Sequence, residues 1–119
     1  MEFKEIYNEL THIEIPPDSK QEQINKNSFS HSSIEWITLP RILIKIGDEA
    51  FYACQNLSKI DIQTNSKLKF IGRHAFIYTF FNSFYVPSNV IHIVQNAFQY
   101  REIRLIEFEE NTKMQIIDE

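Results

Sequence analysis

The chain has 119 residues and a net charge of −4, from 12 basic and 16 acidic side chains. This acidic balance disfavours nucleic acid or an anionic membrane as a partner, because both are recognised by clustered lysine and arginine. A single cysteine rules out a disulfide bond within the chain, and no stretch reaches the roughly 18 apolar residues of a membrane-spanning helix.

Residues 1–9 are a mixture of polar and apolar side chains without the apolar core of a secretory signal peptide. We assign residues 1–9 to an N-terminal lead-in or to the remnant of a preceding repeat. Residues 10–119 are predicted to form one repeat array.

Phenylalanine recurs at a nearly fixed step, with intervals of 22, 25 and 22 residues between Phe29, Phe51, Phe76 and Phe98. Periods of roughly 20–50 residues are typical of repeat architectures. Each phenylalanine closes a phrase that reads apolar-x-x-apolar-x-apolar, then a turn, then apolar-x-x-Ile-Gly-x-x-Ala-Phe. The copies start near Leu10, Ile34, Leu57, Phe81 and Ile103, and the last is incomplete. Four copies and a fragment are enough to bury a continuous core.

The first part of each copy alternates apolar and polar residues, which predicts a half-buried strand. Proline ends this part at Pro16, Pro40 and Pro87, whereas the third and fifth copies carry longer loops at 63–68 and 109–114. Stacking one such strand per coil gives a parallel sheet. The second part is predicted to return the chain through a short extended piece and a short helical or 3-10 turn, with the Phe filling the coil.

The two glycines of the chain, Gly47 and Gly72, fall at the same repeat position. Asn25 and Asp118 hold this position in the first and last copies. Because Gly, Asn and Asp tolerate a left-handed backbone better than other residues, a positive φ is predicted there. Val94 holds the position in the fourth copy, where the turn is expected to be different or strained.

The phrase resembles the BspA-like leucine-rich repeat, whose pattern is Leu-x-x-Ile-x-Ile-Pro-x-x-Val-x-x-Ile-Gly-x-x-Ala-Phe-x-x-Cys. The match is clearest over 34–54, which ends in Ile46-Gly47-Asp-Glu-Ala50-Phe51-Tyr-Ala-Cys54. The resemblance implies an α/β, β-dominant leucine-rich-repeat solenoid with a concave parallel sheet. It also implies a surface-antigen-like protein, since such repeats occur in long surface proteins of bacteria and parasitic protists, where adhesion is the usual proposal. Cell-surface localisation is suggested by this resemblance alone.

No catalytic or metal site is predicted. The histidines fall at different repeat positions without a ligand spacing: His12, His31, His74 and His92. Cys54 shares its repeat position with Ser32 and Thr79 and has no basic neighbour in sequence, which favours a buried structural thiol over a nucleophile. Two glycines leave little room for a phosphate-binding loop. We therefore predict a non-catalytic chain with no cofactor.

The candidate site is the predicted concave face. If Leu57, Ile60 and Ile62 point inward, strand alternation places Lys59 and Asp61 outward. The two outward columns hold His12, Trp36, Lys59, Ser83 and Leu105, and Glu14, Thr38, Asp61, Tyr85 and Glu107. The predicted partner-binding residues are those of the second to fifth copies: Trp36, Thr38, Lys59, Asp61, Ser83, Tyr85, Leu105 and Glu107. Exposed Trp and Tyr suit a binding hot spot; alternatively, Trp36 packs on Lys59 or His12 and covers the sheet.

The leading functional hypothesis is an adhesin-like interaction module that binds a protein or glycan on this face. The alternatives are a structural segment of a longer array or filament with no ligand of its own, and an intracellular leucine-rich-repeat scaffold. The fifth copy stops before its Ala-Phe, so we expect an open C-terminal end with fraying beyond Arg101 or weak end-to-end self-association. No residue pattern in the sequence supports an enzymatic function.

Overall fold

The computed structural model describes residues 12–16, 18–81, 83–94, 96–98, 105–110 and 116–117. The chain is a solenoid of short parallel strands with two strands in each coil. The front sheet contains the first strand of each copy: β1 (His12–Glu14), β3 (Trp36–Leu39), β5 (Lys59–Ile62), β7 (Ser83–Val86) and β9 (Leu105–Phe108). The return sheet contains the second: β2 (Gln23–Ile24), β4 (Lys45–Ile46), β6 (Phe70–Ile71), β8 (His92–Ile93) and β10 (Ile116–Ile117).

The return sheet is continuous and entirely parallel, in the order β10-β8-β6-β4-β2. One isoleucine per strand lies in a single column, and each pairs with the next: Ile24, Ile46, Ile71, Ile93 and Ile117. The first four of these side chains are buried. The predicted stacking of one parallel strand per coil is confirmed.

The front sheet is divided into a piece with the order β1-β3-β5 and a piece with the order β7-β9. Within each piece the predicted columns are in register: Trp36 lies between His12 and Lys59, and Tyr85 lies opposite Glu107. Between the pieces, nearly all Cα–Cα distances from β5 to β7 exceed 8 Å. Paired strands lie roughly 4.8 Å apart, so the front sheet is interrupted at this point.

A column of stacked phenylalanine rings forms the centre of the core. The ring centroids are 5.2 Å apart from Phe29 to Phe51, 5.3 Å from Phe51 to Phe76 and 5.2 Å from Phe76 to Phe98, and the ring planes differ by 3°, 5° and 12°. Phe51 and Phe76 are completely buried. The repeated phenylalanine thus fills each coil as predicted, and it also stacks on its copies above and below.

The return turns contain no α-helix or 3-10 helix among the described residues, in contrast to the predicted helical or 3-10 turns. In the second copy Glu49 and Ala53, four positions apart, both adopt left-handed conformations with φ of 56°. The N–H of Phe51 between them donates to the carbonyl of Ala75 on the next coil, at 2.9 Å. A helix cannot form because alternate amides bond across coils. Left-handed residues recur at these positions in other copies: Asn27, His31, His74, Tyr78 and Asn96.

The prediction of a positive φ at the glycine position is wrong. Neither Gly47 nor Gly72 has a positive φ, and neither do Asn25 and Val94. Asp118 lies outside the described residues. In the four copies whose turn is described, the left-handed residue comes two positions later, because that is where the backbone must turn its amide toward the next coil.

At Gly47 and Gly72, the absence of a side chain makes room for the backbone of the preceding coil. A Cβ on Gly47 would lie 2.6 Å from the carbonyl oxygen of Ile24, and one on Gly72 would lie 2.7 Å from the amide nitrogen of Asp48. The coils are this close because the Gly47 N–H donates to that same Ile24 oxygen and the Gly72 N–H donates to the Ile46 oxygen, both at 2.8 Å.

The expected open end, with fraying beyond Arg101, concerns residues 102–119. Of these, 105–110 and 116–117 are described, with β9 paired to β7 and β10 paired to β8. The remaining residues lie outside the described part of the chain. The described segments include no helix with the length and apolar character required to cross a bilayer.

Candidate functional site

A three-membered stack occupies the N-terminal half of the front sheet. The His12 and Trp36 rings are parallel, with centroids 3.3 Å apart and an interplanar angle of 6°. From the strand on the other side, Lys59 Nζ lies 5.1 Å from the centre of the Trp36 ring, within the range of a cation–π contact. The neighbouring strands thus cover both ring faces, and Trp36 is half-buried. Cross-strand packing explains its position, and only the ring edge can reach a partner.

Thr38 is a correction to the predicted face. The outward column was expected to face solvent, but Thr38 is buried, with 7% of its surface exposed. Its Oγ1 is hydrogen-bonded to His12 Nε2 at 3.2 Å. The short side chain is therefore used within the sheet and is not available to a partner.

The C-terminal half of the front sheet presents an exposed aromatic ring beside carboxylates. Tyr85 is 47% exposed on β7, and Glu107 is exposed directly opposite on β9. Glu109 and Glu110 follow β9, and Glu109 Oε1 accepts a hydrogen bond from the Ser88 N–H at 2.6 Å. The first-column residues of the same two strands, Ser83 and Leu105, are paired in register, and their side chains lie outside the described part of the structure.

The pKa of the Tyr85 phenol is raised, first by desolvation, then by the charge of Glu109 and a hydrogen bond with it, and further by Glu107 and Glu110. Because nearly half of the side chain is exposed, we assign the larger share of the effect to the carboxylates. The phenol therefore stays protonated at neutral pH and can donate a hydrogen bond within an acidic setting.

Cys54 is a buried structural thiol, as predicted. Its side chain has no exposed surface, and its Sγ donates a hydrogen bond to the carbonyl oxygen of Phe29 at 2.9 Å. Burial raises the pKa of the thiol to about 12. Reactive cysteines need a lowered pKa and solvent access, so this residue is not a nucleophile. Within the described ranges, no three or more His, Cys, Asp or Glu side chains are grouped to hold a metal ion.

We expect Cys54 to make stability fall as the pH rises. Between its ordinary pKa of 9.0 and its folded value of about 12, the unfolded chain releases a proton that the folded chain retains. Stability should therefore decrease by about 1.4 kcal/mol per pH unit in that interval. Urea denaturation at about pH 8 and pH 11 measures this loss. Cys54→Ser, which carries the side chain found at the equivalent Ser32, cannot ionise there and should lose less stability. Equal losses in the two proteins would contradict the assignment.

Residues 2–118 match the family model of the BspA type leucine rich repeat region, in six copies. The chain belongs to the BspA type leucine rich repeat family. The resemblance inferred from the residues is thus confirmed, and the match includes residues 2–9, which precede the first copy assigned from sequence.

Solved structures of BspA-type and other leucine-rich-repeat proteins share this fold. The pneumococcal vaccine antigen PcpA is 31% identical, with a TM-score of 0.73 over 78% of this chain and 24% of that chain. A leucine-rich repeat protein from Bacteroides capillosus is 24% identical, with a TM-score of 0.69 over 83% of this chain and 77% of that one. A leucine rich cell surface protein from Faecalibacterium prausnitzii is 20% identical, with a TM-score of 0.61 over 86% and 36%. This BspA-type chain therefore spans about a quarter of PcpA. A comparison with curated proteins found no match.

The BspA-type coil stacking brings most of the predicted site residues to one face, but in two groups. Trp36 and Lys59 lie with His12 in the first group, and Tyr85 and Glu107 lie in the second, across the interruption from Asp61. Sequence reasoning placed Glu109 and Glu110 only in the longer loop at 109–114 and missed their proximity to Tyr85. The sequence did carry a signal for this proximity. Glu109 and Glu110 follow the strand of the fifth copy, which stacks on the strand of the fourth copy that contains Tyr85.

Proposed function

We propose that the chain is a non-catalytic, adhesin-like interaction module that binds a protein or glycan through the front sheet. The observation that carries the proposal is Tyr85, nearly half exposed on a strand face beside Glu107 and Glu109. A tyrosine in this setting offers an apolar ring and a hydrogen-bonding tip, and such residues are enriched among hot spots.

The likeness to a vaccine antigen supports the adhesin-like part of the proposal. PcpA is a vaccine antigen, and the matched segment of this chain carries the same coil architecture. The non-catalytic part is supported by the repeat family itself and by the burial of the Cys54 thiol.

The proposal is tested by binding to a panel of immobilised host matrix proteins and a glycan array, with wild-type protein and Tyr85→Ala. We expect saturable binding to at least one panel member, and a loss of about 10-fold or more in affinity for Tyr85→Ala. The melting temperature should change by only a few degrees, because the ring contributes little to the core.

Tyr78→Ala is the matched control, since Tyr78 is 38% exposed but lies on a return turn. Equal losses for Tyr78→Ala and Tyr85→Ala, or no saturable binding to any panel member, would overturn the proposal. Light scattering that rises with protein concentration reports self-association. If it rises equally in the wild type and both variants, the alternative of a structural segment of a longer array is favoured.

A further inference from the structure

The interruption of the front sheet leaves β5 and β7 without backbone pairing. β5 ends the first piece and β7 begins the second, while the return strands of the same two coils, β6 and β8, are paired. Nearly all Cα–Cα distances between β5 and β7 exceed 8 Å. An additional strand lying about 4.8 Å from each neighbour needs a separation of about 9.6 Å. We call the space between β5 and β7 the slot.

The slot has two unpaired strand edges as its walls. In the described part of the chain, no backbone pairing joins β5 to β7, so each presents an edge that can accept another strand. At the amino-terminal end of the slot, the Phe80 N–H donates to the carbonyl oxygen of Leu57 at 3.1 Å, and this bond closes that end.

The floor of the slot is apolar and is incompletely covered on its β5 side, whereas the inward residues of β7 are buried. Ile60 and Ile62, the inward residues of β5, are only half-buried, whereas Ile37 and Leu39 at the same positions of β3 are buried. Phe80, at the closed end, is 50% exposed. Apolar area left open between two strand edges is stabilised when an incoming strand covers it.

The carboxylates that border the slot in the second column define what an incoming strand must carry at that position. The second column of outward residues contains Asp61, Tyr85 and Glu107. The outward side chain that an incoming strand adds to this column would lie between the Asp61 carboxylate and the Tyr85 ring, and Glu107 lies on the strand after Tyr85. A cation at that point pairs with Asp61 and can lie over Tyr85. The side chains before and after it would point inward, beside Ile60 and Ile62.

We infer that the slot between β5 and β7 binds an extended segment of a partner protein by strand addition, in the pattern apolar–basic–apolar. Backbone hydrogen bonds to both edges supply affinity, and the alternating side chains supply specificity. The inference rests on the proposed function, because it names the partner class for the same face.

The test uses synthetic peptides of about eight residues, a length that exceeds the strands beside the slot. The probes are an alternating Val-Arg peptide, an alternating Val-Glu peptide, and a Val-Arg peptide N-methylated at alternate residues, which lacks the amide hydrogens that face one edge. We expect saturable binding of the Val-Arg peptide by fluorescence anisotropy, and affinities at least about 10-fold weaker for the other two. Hydrogen exchange should show new protection on β5 and β7.

Charge reversal on the protein supplies the matched pair of variants. Asp61→Lys should weaken binding of the Val-Arg peptide about 10-fold or more and strengthen binding of the Val-Glu peptide. Glu14→Lys makes the same charge change in the same column on β1, away from the slot, and should alter both affinities by less than about 2-fold.

Equal binding of the N-methylated and unmodified peptides, or no change of charge preference in Asp61→Lys, would overturn the inference. So would the absence of saturable peptide binding. If Tyr85→Ala abolishes panel binding while no peptide binds, only the slot inference fails. If the peptides bind as expected but Tyr85→Ala binds the panel members with the same affinity as the wild type, the proposed function fails and the slot inference stands.

Discussion

Truncation of Phe51 or Phe76 to alanine should destabilise the chain by about 3–5 kcal/mol, the usual cost of deleting a buried aromatic ring. Both rings are completely buried, and each is stacked between two copies of itself, at 5.2–5.3 Å. Stacked aromatic pairs add roughly 0.5–1.5 kcal/mol beyond burial, so one truncation breaks two such contacts. Chemical denaturation measures the loss, which would be a large part of the stability of a domain this size.

Tyr52→Ala and Tyr78→Ala are the controls for this expectation. These tyrosines follow the phenylalanine column in sequence but lie outside it, where they contact one another edge to face at 5.7 Å. Each truncation should cost about 1 kcal/mol. If the tyrosine and phenylalanine variants lost equal stability, the phenylalanine column would not be the centre of the core.

Substitution of Gly72 by alanine should destabilise the chain by about 1–3 kcal/mol, with a larger loss for valine. The added Cβ would lie 2.6 Å from Asp48 Oδ1, 2.7 Å from the Asp48 amide nitrogen and 2.8 Å from the Gly47 carbonyl carbon. Two of these three atoms belong to the backbone of the preceding coil, so the clash cannot be relieved by rotation of a side chain. The two coils must separate or shift.

Arg73→Ala is the control that shows whether any substitution in this turn lowers stability, or only one that adds a Cβ at Gly72. Arg73 is exposed, and the hydrogen bond it makes to Asp48 Oδ1, at 2.9 Å, comes from its backbone N–H and survives the substitution. Its cost should stay within about 0.5 kcal/mol. A Gly72→Ala variant as stable as Arg73→Ala in urea denaturation would show that the coils are not in close contact at this point.

The repeat period was sufficient to predict the parallel stacking and the register of the front sheet, whereas the return strands were predicted only as a short extended piece. The reason is physical: identical coils stack with equivalent residues adjacent, so one correct alignment of Trp36 with Lys59 fixes every column within a continuous sheet. The same logic predicted the burial of Cys54 and the filling of each coil by phenylalanine.

The conformation of the return turns could not be predicted because their left-handed positions have no common chemistry. Asn27, Glu49 and His74 occupy one of them, and Ala53 and Tyr78 occupy the other. Hydrogen bonds to the next coil impose the backbone conformation there, against the local preference of residues such as alanine and tyrosine. The presence of glycine led to the prediction of a positive φ, whereas its role is to leave space for the backbone of the neighbouring coil.

The candidate face was predicted as a set of columns, and the contacts within those columns were beyond the reach of the sequence. Alternation assigns Trp36 and Thr38 to the outward side, but it carries no information on whether His12 and Lys59 will cover them. The slot could not be predicted from the sequence either, because apolar and polar residues alternate as regularly in the strands of the third and fourth copies as in those of the other copies.

The ladder of hydrogen bonds between return turns also restricts how such a protein can change length during evolution. An insertion of one residue between Gly72 and Ala75 would move every later amide away from its acceptor on the adjoining coil. Within the 63–68 loop, one backbone hydrogen bond to the preceding coil is described, from the Lys67 N–H to the Arg41 carbonyl oxygen at 2.9 Å, and the strands on either side of the loop keep their register. Loss or duplication of an entire coil brings two chemically equivalent surfaces together, ring against ring and amide against carbonyl. Recombination between copies is therefore the tolerated route to shorter and longer arrays, and small insertions are confined to the loops between the two sheets.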